Sequence, residues 1–307
     1  MAPAVAKTTV TTPDPGARPG AAPLAVIAAG GNVPFEVASA ASAEKRPLLV
    51  IALEGEADER LKTFPYASVK WGQLGKLERL LTDHGTRDVV FIGSVDRRPD
   101  LSSIGLDFGA LRILPRIVKG MIGGDDTVLG NLVRWFEESG YRVVGAHEVA
   151  PSLVVPEGFA AGPAPSSDDE EDAALALEAA KAIGVLDIGQ AAVAVGGRVV
   201  ALEAAEGTDA MLERVAELRE RGRIRWKGRA GVLAKRAKPR QDLRIDMPAI
   251  GPRTVDNVAR AGLAGIVIEP ERVMLAERAE TLRRAAGSGT FIVARTNERA
   301  PGAADGA

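Results

Sequence analysis

In the first half of the chain, short continuous apolar runs alternate with stretches of helical period. "LAVIAA" (24–29), "PLLVIAL" (47–53) and "DVVFIG" (88–93) have strand length and no alternating polar face. Such runs predict strands covered on both sides. Between them, "PFEVASAASAE" (34–44) and "GQLGKLERLLTDHG" (72–85) place apolar residues at helical spacing, with Pro34 near the first turn of the former. "DDTVLGNLVRWFEESG" (125–140) predicts a third helix, with an acidic first turn and Gly140 as its stop. "YRVVGAHEV" (141–149) reads as a strand and loop. Strand, helix, strand, helix implies a mostly parallel, Rossmann-like sheet with helices on both faces.

The pattern breaks at "PEGFAAGPAPSSDDEED" (156–172), which is rich in Pro, Gly, Ser and acid and has no period. It reads as a linker running into a helix near 168–183. The second half is mixed. "AAVAVGGRVVALEA" (191–204) predicts a hairpin around Gly196-Gly197. Helices are expected at 209–220 and at the start of 254–270, and strands at 230–237 and at the end of 254–270. A strand, a helix and a strand follow over 272–295. The expected organisation is a disordered extension (1–22), an N-terminal α/β domain (23–155), the linker, a second, mixed α/β domain (173–296) and a flexible tail (297–307).

Composition narrows the chemistry. The chain has 307 residues, 46% apolar and 26% charged, with a formal net charge of −2. No global positive field exists to attract nucleic acid. With no cysteine and only His84 and His147, thiolate sites, disulfides and histidine-rich metal sites are excluded. A metal here would be a hard cation held by oxygen ligands and phosphate. No apolar stretch has the length of a membrane span. "MAPAVAKTTVTTPDPGARPGAAP" lacks the apolar core of a signal peptide. The expectation is a cytoplasmic protein.

Several short stretches could carry chemistry. "AAGGNVP" (28–34) lies where a first strand meets its helix, so Gly30, Gly31 and Asn32 could bring backbone to a phosphate. It is not G-x-G-x-x-G, and no clear acidic ribose reader follows about 20 residues on. A tight turn explains it equally. Arg97 and Arg98, after the 88–93 strand, are anion ligands or solvated cations. Asp125 and Asp126 are explained by helix capping. His84, at a helix C-terminus, reads as a dipole partner, and His147 as structural. Thr208 and Asp209 fit the first turn of the 209–220 helix, and a metal or substrate role is the alternative. In "LAKRAKPRQDLRIDMPAIG" (233–251), Lys235 closes a strand. If "LRID" is extended, Asp242, Arg244 and Asp246 share one face. That spacing suits Mg²⁺ beside a phosphate, and it is equally what a half-exposed strand shows.

Read together, "AVIAAGGNVPFEVA", "GAHEV", "LDIGQAAV", "EGTDAMLERV", "GVLAKRAKPRQDLRIDMPAIGPRTVDNVARAGLAGIVIE" and "GTFIVA" resemble the LpxI-type UDP-2,3-diacylglucosamine pyrophosphatases over residues 23–294, in unbroken order. The resemblance implies two α/β domains with the ligand between them, a homodimer, and a role in lipid A biosynthesis of Gram-negative bacteria. It implies hydrolysis of UDP-2,3-diacylglucosamine to UMP and 2,3-diacylglucosamine 1-phosphate (lipid X). Water attacks the α-phosphorus with the help of Mg²⁺, or Mn²⁺ in its place. A diacylated substrate would draw the enzyme to the inner-membrane surface. By the same resemblance Asp246 is the catalytic aspartate. The matching positions for ligand contact are Gly30, Gly31 and Asn32 of the 30–32 turn, Gln190, Asp209, Lys235 and Gln241. The chemistry of the residues adds Asp209 beside Asp246 as a metal ligand and catalytic group, Lys235 and Arg244 as partners of phosphate oxygens, and Thr208 as a substrate contact. Four departures stand out: Ala29 where a third glycine is common, Met247 where leucine is usual, the extra N-terminal extension, and one extra residue in "RRPD" (97–100). Against this stand a different nucleotide-sugar enzyme or a dehydrogenase on the N-terminal sheet, which the imperfect glycine pattern disfavours, and a non-catalytic binding protein.

Overall fold

The computed structural model describes residues 22–95 and 125–296, with 125–129 by backbone alone. The expected N-terminal extension up to Ala21, the C-terminal tail and the Arg97–Arg98 loop lie outside the described residues. The side chains of Asp125 and Asp126 do so as well. The chain separates into two compact units between Ala150 and Pro151.

The first unit holds a five-stranded parallel sheet in the order β3-β2-β1-β4-β5. Its strands are β1 (Leu24–Ala28), β2 (Leu48–Leu53), β3 (Tyr66–Val69), β4 (Asp88–Ile92) and β5 (Arg142–Val143). Around it lie α1 (Val33–Ala43), α2 (Leu74–Asp83), α3 (Asp125–Glu138) and the single turn α4 (Ala146–Val149). The unbroken apolar runs are explained by β1, which is paired with β2 on one side and β4 on the other. Leu24, Ala25, Val26 and Ala28 have no exposed surface. α1 starts with Pro34 in its first turn and buries Val37, Ala38 and Ala41, a helical spacing. The strand after the 125–140 helix is shorter than expected, and His147 sits in α4 rather than in a loop.

At the start of β4, Asp88 is buried between two arginines. Arg142 Nε and Nη2 donate to its two oxygens at 2.8 and 2.6 Å, and Arg46 Nη2 donates to Oδ2 as well. Arg46 Nε donates to the Ala22 carbonyl at 2.8 Å. Burial pushes the Arg46 guanidinium below its ordinary pKa, and the Asp88 carboxylate holds Arg142 above its own.

The second unit holds a six-stranded mixed sheet in the order β6-β13-β11-β9-β7-β8. The strands are β6 (Ala160–Ala161), β7 (Ala191–Val195), β8 (Arg198–Leu202), β9 (Val232–Lys235), β11 (Gly265–Ile268) and β13 (Phe291–Ala294). β9, β11 and β13 are parallel, whereas β6, β7 and β8 each run antiparallel to their neighbours. β10 (Ala249–Ile250) and β12 (Met274–Leu275) form a separate parallel pair. The helices are α5 (Ser167–Val185), α6 (Gly207–Glu220), α7 (Pro252–Ala261) and α8 (Arg278–Ser288). Alternation along β9 sorts its residues between two cores. Val232 and Ala234 pack with Ala173, Ala176 and Leu177 of α5. Leu233 packs with Met211, Leu212 and Val215 of α6 and Val255 and Val258 of α7. Lys235 therefore belongs to the α6 face.

The stretch read as a linker contains β6, which pairs with the edge of β13. Ser166 then caps α5: its hydroxyl accepts from Asp169 N–H at 3.2 Å, and the Asp169 carboxylate accepts from Ser166 N–H at 3.0 Å. The acidic run is helix-capping chemistry. Asp172, 2% exposed, accepts the N–H groups of Gly196 and Gly197 at 2.8 Å each. Both glycines have positive φ, 60° and 73°, as the tight hairpin turn requires.

Candidate active site

Lys235 ends β9, where it is level with Ala191 of β7 and Ile268 of β11. It is 7% exposed, and its Nζ donates to Thr208 Oγ1 at 2.9 Å. Thr208, in the first turn of α6, donates its hydroxyl to Glu203 Oε1 at 3.1 Å. Glu203 follows the last residue of β8 and is 6% exposed, and its Oε2 is buried with no hydrogen-bond partner. A chain of three buried polar side chains thus runs from the end of one strand to the end of another. Desolvation pulls the Lys235 pKa below the ordinary ammonium value, opposed by the charges of Glu203, Asp209 and Asp246. Burying an ammonium alone costs several kcal/mol, so these carboxylates are what keep it tolerable.

The remaining predicted residues fall around this chain. Asp209 accepts Asn257 Nδ2 at 2.9 Å and pairs with Arg253 at 2.6 Å. Gln241, 7% exposed, accepts the Lys238 N–H on its Oε1 at 3.1 Å. That fixes its amide orientation, so its Nε2 donates to Asp246 Oδ2 and makes a long contact, 3.5 Å, with Gln190 Oε1. Lys238 is tied to Asp187 at 2.6 Å. Thr208, Asp209, Lys235 and Asp246 stand together through Lys235, with Gln190 and Gln241 at the Asp246 end.

The "LRID" segment is a turn, not a strand. Asp246 N–H reaches back to the Asp242 carbonyl at 3.0 Å, and Ile245 N–H to the same oxygen at 3.1 Å. The Asp242 side chain accepts Arg244 N–H at 3.1 Å and grips its guanidinium at 2.6–3.2 Å. An aspartate bonding backbone two residues on makes a turn by itself, and this overrides the alternating pattern. Asp242, Arg244 and Asp246 therefore do not share a strand face. Asp242 and Arg244 close on each other, and the Arg244 partnership holds the Asp242 carboxyl below its usual range. Asp246 turns to Gln241 and Lys235.

Sequence reasoning missed Glu203. The signal was present: in β8 and just beyond, Ala201 and Glu203 are buried while Leu202 is 40% exposed. A hairpin that turns an acid inward and a leucine outward is an informative violation. Gly189 explains how the glutamate is held. A Cβ there would stand 2.2 Å from the Glu203 carbonyl oxygen, so only glycine lets the two backbones touch.

Gly30, Gly31 and Asn32 lie in the first unit, at the carboxyl end of β1, where the strand order reverses. Ligands in open α/β sheets sit outside such a point. Gly30 exchanges hydrogen bonds with Ser94 at 2.8 and 2.9 Å. Gly93 permits this closeness: a Cβ on it would be 2.7 Å from both the Ala29 carbonyl carbon and the Gly30 oxygen. Asn32 stands at the N-terminus of α1 without capping it, and accepts from Arg60, which is bound to Asp58. His84 caps the C-terminus of α2 and is a hydrogen-bond partner of Thr86 at 3.0 Å, and burial lowers its pKa. His147 packs its ring against Gly145.

Among the described residues, no three carboxylate, histidine or cysteine side chains converge as a metal cage. Mg²⁺ does not need one, since it keeps waters and takes one or two carboxylates plus substrate phosphates. Asp209 and Asp246, both acting on the charge of Lys235, are all-oxygen, anionic donors of the kind such an ion takes.

Residues 23–153 match the model of the LpxI N-terminal domain and residues 156–293 that of the LpxI C-terminal domain. The chain is 42% identical over 270 residues to the UDP-2,3-diacylglucosamine pyrophosphatase LpxI of Caulobacter vibrioides, covering 88% of this chain and 96% of that protein. Among the described residues, no helix is long and apolar enough to cross a membrane.

Proposed function

The chain belongs to the LpxI family along both of its domains, and from that premise we propose that it hydrolyses UDP-2,3-diacylglucosamine to UMP and lipid X, a step of lipid A biosynthesis. The observation that carries this reading is the buried Lys235 among Glu203, Asp209 and Asp246 at the end of β9. A pyrophosphate ester needs charge neutralisation and a placed water more than it needs a covalent nucleophile. Lys235 meets one phosphoryl oxygen with the protons not given to Thr208. Asp246, held by Gln241, orients the attacking water and accepts its proton. The new bond joins the water oxygen to the α-phosphorus, the bond from that phosphorus to the bridging oxygen breaks, and lipid X departs with the bridging oxygen in its phosphate.

Mg²⁺ belongs to this reading, held by Asp246 and Asp209, where it would neutralise phosphoryl charge. Gln190, Gln241 and Thr208 contact substrate in this reading. Arg244 contacts substrate with guanidinium N–H groups other than those that Asp242 holds. A homodimer working at the inner-membrane surface completes the proposal. A dehydrogenase reading is weaker, because the β1–α1 turn lacks the glycine fingerprint that a dinucleotide requires.

Hydrolysis in ¹⁸O-labelled water tests this. Label should enter UMP and not lipid X. The metal-stripped enzyme should yield neither until Mg²⁺ or Mn²⁺ is restored. Label in lipid X would move attack to the β-phosphorus, and undiminished turnover in chelator would remove the metal.

A further inference from the structure

Glu203 touches none of the groups assigned to the reaction except Thr208, yet it is buried, anionic in type and joined to Lys235 through one hydroxyl. We propose that Glu203 is a positioning residue: it sets the direction of the Thr208 hydroxyl and, through it, the aim of the Lys235 ammonium.

The argument rests on donor and acceptor inventory. A carboxylate only accepts, and an ammonium only donates. Thr208 lies between them, 3.1 Å from Glu203 Oε1 and 2.9 Å from Lys235 Nζ. Its one proton must go to Glu203, which leaves its lone pairs for Lys235 alone. The hydrogen-bond polarity of the chain is thus fixed from both ends, and Glu203 holds the hydroxyl proton on the side away from Lys235. One of the three Lys235 protons is spent on Thr208, and the other two have a fixed direction relative to β9. The free rotation of a lysine head, the weakness of lysine as a geometric ligand, is removed.

The rest of the structure is built to hold Glu203 where it is. It accepts a place on the inward side of the β7–β8 hairpin, behind the buried Ala201. Its backbone is pressed by Gly189, where no side chain fits. Its N–H donates to the Ala191 carbonyl at 2.9 Å, and Ala191 is the residue level with Lys235 across β7 and β9. Both ends of the chain are thus tied to the same strand. Glu203 Oε2 is buried without a hydrogen-bond partner, and of the carboxylates that act on Lys235 the charge of Glu203 acts most strongly.

This inference rests on the pyrophosphatase reading for its kinetic readout, but not for its spectroscopic one. In ¹⁵N-labelled protein, the Lys235 Nζ–H resonance reports the hydrogen-bonded ammonium with no substrate present. Glu203→Gln and Thr208→Val should each shift or abolish it, whereas Thr208→Ser should retain it. On UDP-2,3-diacylglucosamine, Glu203→Gln should lower kcat about tenfold or more with KM changed by less than about threefold. The double variant Glu203→Gln with Thr208→Val should be no worse than the poorer single variant, because the two act along one path. A folded Glu203→Gln protein with an unchanged Lys235 resonance overturns the proposal, as do losses that multiply in the double variant. If Glu203→Gln fails to fold, the contrast of Thr208→Val with Thr208→Ser decides: equal resonances in both overturn the idea. A wild-type enzyme that leaves the substrate intact counts against the pyrophosphatase reading, and the resonance then decides the Glu203 assignment by itself.

Discussion

Each unit of the protein buries a cluster of opposite charges at the end of a central strand, and the two clusters are finished differently. Asp88 opens β4, and both its oxygens are taken by Arg46 and Arg142, while Arg46 is also anchored on the Ala22 carbonyl. Lys235 closes β9, its hydrogen-bonded neighbour is a neutral hydroxyl, and the carboxylate behind that hydroxyl has a bare oxygen. The first set is closed and joins the strand to neighbouring segments. The second is open toward anything that brings anionic oxygens or a cation. Their position in the sheet agrees with this contrast, because ligands bind at carboxyl ends of parallel strands and not at amino ends. Burial of charge thus does two jobs here, and the count of unsatisfied groups tells them apart.

The strongest way to break this comparison is at Asp88. Asp88→Ala leaves Arg46 buried without its carboxylate, and breaking such a pair costs about 3–5 kcal/mol. Urea unfolding should show that loss, while kcat per folded molecule stays near wild type. A stable Asp88→Ala protein, or a stable one without activity, would mean that the closed cluster is not what holds β4 and β5. At the open cluster the expectation is reversed. Asp246→Ala should cut turnover by about 10²–10³-fold, as loss of one transition-state partner does. Its unfolding midpoint should fall less than that of Asp88→Ala, since Asp246 is only partly buried, its hydrogen-bond partner is an amide, and Glu203 and Asp209 still offset the Lys235 charge. Near-normal hydrolysis by that variant would take Asp246 out of the mechanism.

A third cluster sharpens the comparison with the smallest effect. On α8, Glu280 stands between Arg283 and Arg284 as Asp88 does between its two arginines, but at the surface. Hydrogen bonds from the two guanidinium groups lower its pKa from 4.5 to about 2. Because the folded value is depressed, its contribution to stability is present above about 4.5 and fades as pH falls toward about 2. Solvent and salt screen an exposed pair, so the effect is slight. The stability difference between wild type and Glu280→Gln should be small at neutral pH and vanish on acidification. A difference that survives acid unchanged would assign it to something other than these ion pairs.

Much of this was legible in the sequence, for physical reasons that differ by region. Apolar runs such as 24–29 and 88–93 name buried parallel strands, because nothing else of that length hides so much apolar surface. Gly196-Gly197 names its own turn. Thr208, Asp209 and Lys235 were visible as polar residues at element ends, and Asp246 through the family resemblance. What failed were elements set by side-chain bonds to backbone. Asp242 folded "LRID" into a turn against its alternation. Two residues, Ala160 and Ala161, were enough to add a strand inside an apparent linker, because the open edge of β13 supplied the partner. Glu203 was overlooked because the inward acid and outward leucine of its hairpin gain their meaning only once the contact with Gly189, on another segment, sets which face is buried.

The register of β9 has a further consequence, for changes in chain length. Val232, Leu233, Ala234 and Lys235 are locked level with Gly265, Ile266, Val267 and Ile268 on one side and with β7 on the other. Removing one residue from this strand would not bring the lysine a little nearer or farther. It would exchange faces, putting the ammonium where Ala234 now lies at 0% exposure against α5 and leaving Arg236 to meet Thr208. Substitutions along β9 can be graded by volume, but insertions and deletions are all-or-none. The strand acts as a ruler with a two-residue unit.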